Sequence, residues 1–293
     1  MASNDLLHRF IFDDCDIRGE IVTLGDSYQQ VLANNPYPRA IQQLLGEFLA
    51  ATSLLSSTLK FDGMIVLQAR GDGAISTIMA ECSNHQTLRA IVRLNPDVTL
   101  DPAVGEQGTM KQLLGTGVLA ITIEPKKGER YQGIVPMDSE NLAGCLEHYF
   151  YQSEQLKTRL WFAADGERAA GFLLQALPKQ LNTDHEANEQ HWETLCALSE
   201  TVTAEELLSL NHSELLYRLF HEEAVRIFEP NALHFACSCS RERTASALLS
   251  LGRDEVEQLL IEQGNIEVDC QFCNQHYEFD ATAVRELLGG SLH

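Results

Sequence analysis

The sequence predicts an α+β protein in three parts. Residues 1–178 form an N-terminal domain of antiparallel, hairpin-rich sheets packed with helices, 179–234 an acidic helical linker, and 235–293 a small C-terminal domain around four cysteines. Strand-like segments occur in pairs joined by turns instead of alternating with helices, which disfavours a parallel sheet. Acidic residues concentrate after Pro178, and four of the eight cysteines lie in the last fifth of the chain.

Composition excludes several classes of protein. Of the 293 residues, 44% are hydrophobic, which is enough for a packed core and argues against wholesale disorder. The formal net charge of −21 repels phosphate backbones and anionic lipids, so we expect neither a nucleic acid nor a membrane as partner. No apolar run approaches 18 residues, and the start of the chain does not resemble a secretory signal. We therefore expect a cytoplasmic protein with its cysteines as thiols.

The N-terminal domain is predicted from apolar periodicity and turn residues. Strands are expected at 10–12 and 17–22, with Gly19 suggesting a bulge or bend. A helix is expected from Pro38 to about Leu59, where apolar residues recur at helical spacing. The remaining elements are two hairpins, a helix, a strand and an apolar segment: 64–69 with 74–80, 117–123 with 131–135, 139–155, 160–163, and 171–177.

The linker combines high negative charge with helix signals. Between residues 183 and 226 there are ten acidic residues and two basic residues, both arginines. Thr203-x-x-Glu206 and Asn211-x-x-Glu214 are capping boxes that precede leucine-rich segments, and they predict two amphipathic helices. Two interpretations are open. The linker is an ordinary connector with a solvated face, or a marginally stable element whose apolar face needs a docking partner.

The cysteines divide into four single residues and two close pairs. Cys15, Cys82, Cys145 and Cys196 are isolated, which is typical of buried small hydrophobic residues. The pairs are Cys237-Ser-Cys239 and Cys270-Gln-Phe-Cys273.

The residues around the two pairs predict a compact module. A helix over 241–251 is expected to end at Gly252, and a second over 255–263 to begin after an N-cap at Asp254. Short strands at 266–269 and 277–279 place the CxxC pair at the tip of a hairpin. A hairpin tip that faces a second cysteine pair across a helical insert is how small zinc modules are built.

Four thiolates at about 2.3 Å from zinc make a closed tetrahedral site with no open position for catalysis. His234 and His276 lie beside the pairs, but four cysteines already complete such a site. Two alternatives remain: a thioredoxin-type dithiol oxidoreductase, which favours CxxC at a helix N-terminus, and a zinc module that binds nucleic acid or ribosomes, which the charge disfavours. No HExxH, GxSxG or Walker lysine is present, and we expect no enzyme.

The cysteine motifs and their surroundings resemble one known family, the redox-regulated 33-kDa heat-shock chaperones. The resemblance runs along essentially the whole chain. In the C-terminal part it rests on residues 235–240, Arg243, 251–252, Glu255, 266–273, Tyr277 and Phe279. Upstream it rests on 131–135, 149–155, 171–178 and the acidic helical linker.

The resemblance implies an ATP-independent holdase chaperone that binds unfolding client proteins under oxidative stress. It implies that Cys237, Cys239, Cys270 and Cys273 bind one zinc ion in the reduced, inactive form. Oxidants such as peroxide or hypochlorous acid would join Cys237 to Cys239 and Cys270 to Cys273, release zinc and unfold the linker. It also implies that the activated protein is a homodimer.

Overall fold

The computed structural model describes residues 5–59, 62–178 and 185–289. Within them it has fourteen strands and eleven α-helices. The strands are β1 (Leu6–Phe12), β2 (Ile17–Leu24), β3 (Gly63–Gly71), β4 (Ile75–Ser83), β5 (Thr87–Leu94), β6 (Gly117–Pro125), β7 (Tyr131–Pro136), β8 (Thr158–Ala164), β9 (Ala169–Ala176), β10 (Val225–Ile227), β11 (Asn231–Ala232), β12 (His234–Phe235), β13 (Ile266–Asp269) and β14 (His276–Phe279). The helices are α1 (Asp26–Ala33), α2 (Arg39–Thr58), α3 (Pro102–Gln107), α4 (Met110–Leu114), α5 (Leu142–Tyr149), α6 (His185–Ser199), α7 (Ala204–Ser209), α8 (His212–Phe220), α9 (Arg241–Leu249), α10 (Arg253–Gln263) and α11 (Ala281–Gly289).

The chain divides into two compact units, residues 1–236 and 237–293. The larger unit contains two sheets. The first sheet has the order β10-β1-β2-β9-β8, with β11 also paired to β1, and the second has the order β12-β5-β4-β3-β6-β7. Their strand pairs are antiparallel except for β12 and β5, which are parallel. The predicted α+β class with antiparallel hairpins is confirmed, and both predicted hairpins are present, as β3–β4 and β6–β7.

Helix α2 lies at the centre of the main core of the larger unit, where it packs against strands of both sheets. Its buried leucines and Phe48 share one cluster with residues from each sheet. The alternation of side chains along β2 divides the first sheet between two cores: Val22 and Leu24 join the α2 core, whereas Ile17 and Ile21 face the opposite side. The first sheet is therefore covered on both faces.

Linker helices cover that opposite face of the first sheet. Leu207 of α7 and Leu215, Leu216 and Phe220 of α8 are buried in one cluster with aromatic residues of the sheet. The ring of Phe220 lies 5.1 Å from that of Phe12, centroid to centroid. The apolar faces of the linker helices therefore dock on the first sheet.

The predicted linker helices begin where their capping residues indicate. The hydroxyl of Thr203 accepts a hydrogen bond from the backbone N–H of Glu206, whose carboxylate accepts one from the N–H of Thr203. The side chain of Asn211 accepts a hydrogen bond from the N–H of Glu214 at 2.8 Å. These bonds satisfy backbone donors that each helix start would otherwise leave unpaired.

Two local predictions for the larger unit were wrong. Gly19 does not form a bulge, because β2 keeps continuous register with both β1 and β9. Glycine is required there for a different reason: a Cβ atom on Gly19 would lie 2.0 Å from the ring of Phe10. The helix expected from residue 139 begins at Leu142, after the N-cap Asn141, and changes to a π-helical turn at Phe150–Glu154.

Among the described residues, none of the helices has the length and apolar character needed to cross a membrane.

Candidate metal centre

The first cysteine pair lies in a short loop that leads into α9. Ser240 caps this helix, since its hydroxyl accepts a hydrogen bond from the N–H of Arg243 at 3.2 Å. The guanidinium of Arg243 in turn donates to the carbonyl of Ser238 at 2.8 Å. The residue between the two cysteines is thus tied to the first turn of the helix, which restricts where Cys237 and Cys239 can place their sulfur atoms.

The second cysteine pair lies in the turn between β13 and β14, as predicted. The two strands pair antiparallel from Ile266 with Phe279 to Asp269 with His276. The carbonyl of Cys270 accepts hydrogen bonds from the N–H groups of Cys273 at 3.3 Å and Asn274 at 2.7 Å. Asn274 has a φ of 55°, a left-handed conformation that asparagine tolerates better than most residues. This tight turn directs both cysteines of the pair to one side.

The four sulfur atoms converge. The Sγ atoms of Cys237, Cys239, Cys270 and Cys273 all lie within 4.8 Å of one another. Between the pairs, the sulfur of Cys237 lies 3.6 Å from that of Cys270, and the sulfur of Cys239 lies 3.4 Å from that of Cys273. In a tetrahedral zinc site with four sulfur ligands, bonds of about 2.3 Å place the sulfur atoms about 3.8 Å apart. The cluster therefore has the size and the donor set to hold one metal ion.

Without a cation, the cluster disfavours ionised thiols. Burial raises the pKa of the Cys273 thiol, and the neighbouring thiols of Cys239, Cys237 and Cys270 raise it further. The hydroxyl of Tyr277 donates a hydrogen bond to the sulfur of Cys239 at 3.1 Å, and this contact raises the pKa of Tyr277 to about 12. A bound divalent ion reverses this preference, because it stabilises the thiolates that ligate it.

The C-terminal unit has little else to stabilise it. Among residues 237–289, which the structure describes, its apolar core comprises seven buried residues: Ala245, Leu248, Val256, Ile266, Phe279, Val284 and Leu288. The guanidinium of Arg241 adds a cation–π contact, 4.4 Å from the ring centre of Phe279. Units of roughly sixty residues bury a small fraction of their surface and commonly depend on a metal or on disulfides. A metal ion held by the four cysteines would supply such a cross-link between α9 and the β13–β14 hairpin.

The helices of this unit differ from the prediction at two boundaries. Helix α9 ends at Leu249, two residues before the predicted end. Helix α10 begins at Arg253 after the N-cap Gly252, so Asp254 lies in its first turn instead of at its N-cap. Gly252 has a φ of +97°, which a residue with a side chain rarely adopts and which the tight connection from α9 requires.

The remaining cysteines are buried as predicted and chemically quiet. Cys15, Cys82, Cys145 and Cys196 are free thiols inside the larger unit. Burial raises the pKa values of Cys15, Cys82 and Cys196 to about 11, so these groups hold little of the reactive thiolate near neutral pH.

Neither neighbouring histidine belongs to the cluster. His276 is exposed and its Nδ1 lies 2.8 Å from the carboxylate of Asp269, and His234 is exposed in β12 of the larger unit. Sequence reasoning missed Tyr277 as a group that contacts the cysteines. Tyr277 stands two residues before the buried Phe279 on β14. Because side chains alternate between the two faces of a strand, this spacing could have indicated that Tyr277 shares the inner face with Phe279.

Comparison with known proteins agrees with this arrangement. The family model described as Hsp33 protein matches residues 5–280. The 33 kDa chaperonin of Pseudomonas paraeruginosa is 53% identical over 99% of this chain and 97% of its own length. The 33 kDa chaperonin of Azotobacter vinelandii is also 53% identical, over 99% of this chain and 96% of its own. The crystal structure of the 33 kDa chaperonin from Thermotoga maritima superposes with a TM-score of 0.84 at 24% identity and covers 99% of each chain. The chain therefore belongs to the Hsp33 family of chaperones.

Proposed function

We propose that this protein is a cytoplasmic, ATP-independent holdase chaperone whose activity is controlled by thiol oxidation. It binds unfolding proteins and prevents their aggregation under oxidative stress. The observation that carries the proposal is the four-thiol cluster in a small unit that follows, in sequence, helices docked on an aromatic sheet face. Family membership supports the chaperone role, and the cluster supports the means of control.

In the reduced protein, Cys237, Cys239, Cys270 and Cys273 hold one zinc ion. The soft, four-sulfur donor set favours zinc over the hard cations calcium and magnesium. A closed site of this kind supplies folding free energy and no catalytic position. The role of the four residues is therefore to keep the C-terminal unit folded.

Oxidation removes these ligands. A thiolate sulfur attacks one oxygen atom of the peroxide and breaks the O–O bond. That oxygen stays on the sulfur, so the cysteine becomes a sulfenic acid, and the other oxygen leaves as hydroxide. The second thiolate of the pair attacks that sulfur and displaces a second hydroxide, which forms the disulfide. Each disulfide takes two electrons from its pair of thiolates, and the peroxide is reduced to two hydroxide ions, which take protons from the solvent to become water. The disulfides are Cys237–Cys239 and Cys270–Cys273.

The sulfurs also make close contacts between the two motifs, from Cys237 to Cys270 and from Cys239 to Cys273. All four sulfurs lie close enough that proximity alone does not choose a partner. Pairing within each motif lets the two segments separate, whereas cross-pairing would keep α9 joined to the hairpin. Only the first pairing removes the cross-link that stabilises the unit.

Loss of the C-terminal unit then destabilises the linker. One residue, Ala236, separates Cys237 from β12, and the chain runs back from there to the docked helix α8. The leucine faces of α7 and α8 rest on the first sheet, so their release exposes two apolar surfaces: the helices and the aromatic face of the sheet. Apolar surface of this kind binds unfolding proteins, and the surrounding negative charge keeps the complex soluble.

The experiment follows metal release and chaperone activity in one sample. Reduced protein and peroxide-treated protein are assayed at mild heat with a zinc-sensitive dye and an aggregating client. We expect the reduced protein to retain zinc and suppress aggregation poorly, and the oxidised protein to release zinc and suppress it well. Equal suppression in both states would refute redox control.

Two variants sharpen this assay. Replacing Cys270 and Cys273 with serine is expected to weaken zinc binding and to loosen the linker without oxidant. Cys145→Ala is the matched control, since this thiol is buried in the larger unit and its loss leaves the cluster intact.

The active, oxidised form is proposed to be a homodimer. Sedimentation of the oxidised protein tests this, and an active species that sediments as a monomer would contradict it.

A further inference from the structure

Helix α8 is attached to the first sheet by a buried pair of histidines. His212, its first residue, is 7% exposed, and its Nδ1 lies 2.7 Å from Nδ1 of His8 on β1. Its Nε2 lies 2.9 Å from the hydroxyl of Thr23 on β2. The two rings meet edge to face, with centroids 4.9 Å apart. Both ring nitrogens of His212 are thus engaged by neighbouring strands of the sheet.

This geometry limits the protons that the pair can hold. One Nδ1 must carry a proton and the other must accept it, because a distance of 2.7 Å is a hydrogen bond. A first added proton can enter at Nε2 of His8 and leave the bond intact. A second added proton places N–H groups on both Nδ1 atoms, which then oppose each other with like charge. The docked helix therefore excludes the doubly protonated pair.

The surroundings reinforce this exclusion. Burial, and then the neighbouring charge of His8, lowers the pKa of His212 to about 3. Burial also lowers the pKa of His8, which the nearby carboxylate of Glu229 partly offsets. Of the charged residues of α8 itself, Arg218 is exposed and Glu214 is half-buried, and they pair with each other at 2.7 Å.

We infer that the His8–His212 pair makes docking of the linker sensitive to acid, so that protonation of the pair releases α8 from the first sheet while the cysteines stay reduced. The release itself follows from the side-chain contacts alone. That it also activates the protein as a chaperone rests on the proposed function.

The direction and size of the effect follow from proton linkage. A histidine released into solvent has a pKa near 6.5, whereas docked His212 does not bind a proton until far lower pH. Docking is therefore fully favoured above pH 6.5 and weakens as pH falls toward 3, by a factor of ten per pH unit. Between pH 7.5 and 5.5 the opening equilibrium of α8 is expected to rise about tenfold.

One carboxyl group opposes this trend. Glu47 of α2 lies in a cleft beside Val202, Thr203 and Leu207, and burial raises its pKa to about 7. Acid therefore favours the docked state at α7 while it disfavours docking at α8. The histidine contribution is the difference between the pH profiles of the natural protein and of a variant that lacks the titrating ring.

The test measures hydrogen exchange of α8 in the reduced, zinc-loaded full chain at pH 7.5 and 5.5, with each rate divided by its intrinsic rate. Tryptophan fluorescence gives an independent reading, since both tryptophans, Trp161 and Trp192, pack against the cluster beneath the linker. The comparison variant is H212Q, whose amide can bond to Thr23 without titrating. Between pH 7.5 and 5.5, the opening constant of the natural protein is expected to rise about tenfold relative to that of H212Q. H221Q is the matched control, because His221 ends the same helix but is exposed.

The inference would be overturned by an α8 opening constant whose dependence on pH is the same in H212Q as in the natural protein. A client-aggregation assay at both pH values separates the two proposals. Acid opening with suppression supports both of them. Acid opening without suppression upholds the histidine pair and contradicts the proposal that the client surface lies beneath α8.

Discussion

One substitution, Phe220→Ala, should weaken the docking of helix α8 on the first sheet and leave the metal site unchanged. Phe220 is 2% exposed, and its ring contacts Phe12 at 5.1 Å and Phe172 at 6.3 Å between centroids. Truncation of a buried phenylalanine costs about 3–5 kcal/mol, part of it from the cavity that remains. Because 1.4 kcal/mol corresponds to a factor of ten, the opening constant of the linker should rise by roughly a hundredfold or more. The contacts of the cysteine cluster are unaffected.

We therefore expect the reduced F220A protein to keep its zinc and to suppress client aggregation without oxidant. The assay combines hydrogen exchange of α6–α8, zinc content and light scattering of a heated client. Tyr217→Ala is the matched control, since this aromatic residue lies on the same helix but is 71% exposed. The reasoning is refuted if F220A opens the linker and remains inactive, or if it becomes active only after it loses zinc.

Three further substitutions test the contacts on which the account depends. Tyr277→Phe removes the hydrogen bond to the sulfur of Cys239 and should weaken zinc binding by about 10–100-fold, measured by competition with a chelator. Glu20→Gln should flatten the dependence of stability on pH. Burial raises the pKa of Glu20 to about 7, so the protonated carboxyl favours the folded state in acid. Between pH 5 and 8 the natural protein should lose about 2–3 kcal/mol of this stabilisation. Gly19→Ala should destabilise the larger unit by several kcal/mol in urea unfolding, because the added carbon would lie 2.0 Å from the ring of Phe10.

Each substitution has a defined contradicting result. An unchanged zinc affinity in Y277F would show that the tyrosine does not support the sulfur. A pH profile in E20Q that parallels the natural protein would show that this carboxyl is not the titrating group. Gly105→Ala is the control for Gly19, since its added carbon would meet its nearest neighbour at an ordinary 3.4 Å, and equal destabilisation by both would remove the steric argument.

Local sequence signals predicted many of the helices and strands. They were most accurate where a side chain forms a hydrogen bond with a backbone N–H group a few residues away. The starts of α7 and α8 follow from Thr203 and Asn211, because a capping hydrogen bond acts within three residues. The β13–β14 hairpin and its cysteine turn are equally local. Strand β5 was not predicted, although its first half has the period-two pattern of a strand: Leu88 and Ala90 are buried, and Thr87 and Arg89 are half-buried.

Long-range partners could not be read from the sequence. The leucine face of α8 predicts that something apolar covers it, but periodicity does not say whether that partner is the C-terminal unit or the first sheet. The choice depends on the pairing of β2 with β9, whose strands lie about 150 residues apart and together build the aromatic face. The histidine pair was missed for the same reason, because His8 and His212 meet only after the helix docks.

The spacing of the cysteines predicted which four meet, and the structure brings those four sulfurs together. What spacing could not supply is the support around them, such as the hydroxyl of Tyr277 and the tie from Arg243 to Ser238. These contacts come from side-chain directions in β14 and α9, which only the packed unit defines.

Native mass spectrometry of the reduced chain, before and after peroxide and followed by peptide mapping, tests the central claim most directly. The account predicts one zinc ion per reduced chain, and after oxidation a zinc-free chain with disulfides Cys237–Cys239 and Cys270–Cys273. A reduced chain that carries no metal, or an oxidised chain that keeps its zinc, would contradict it.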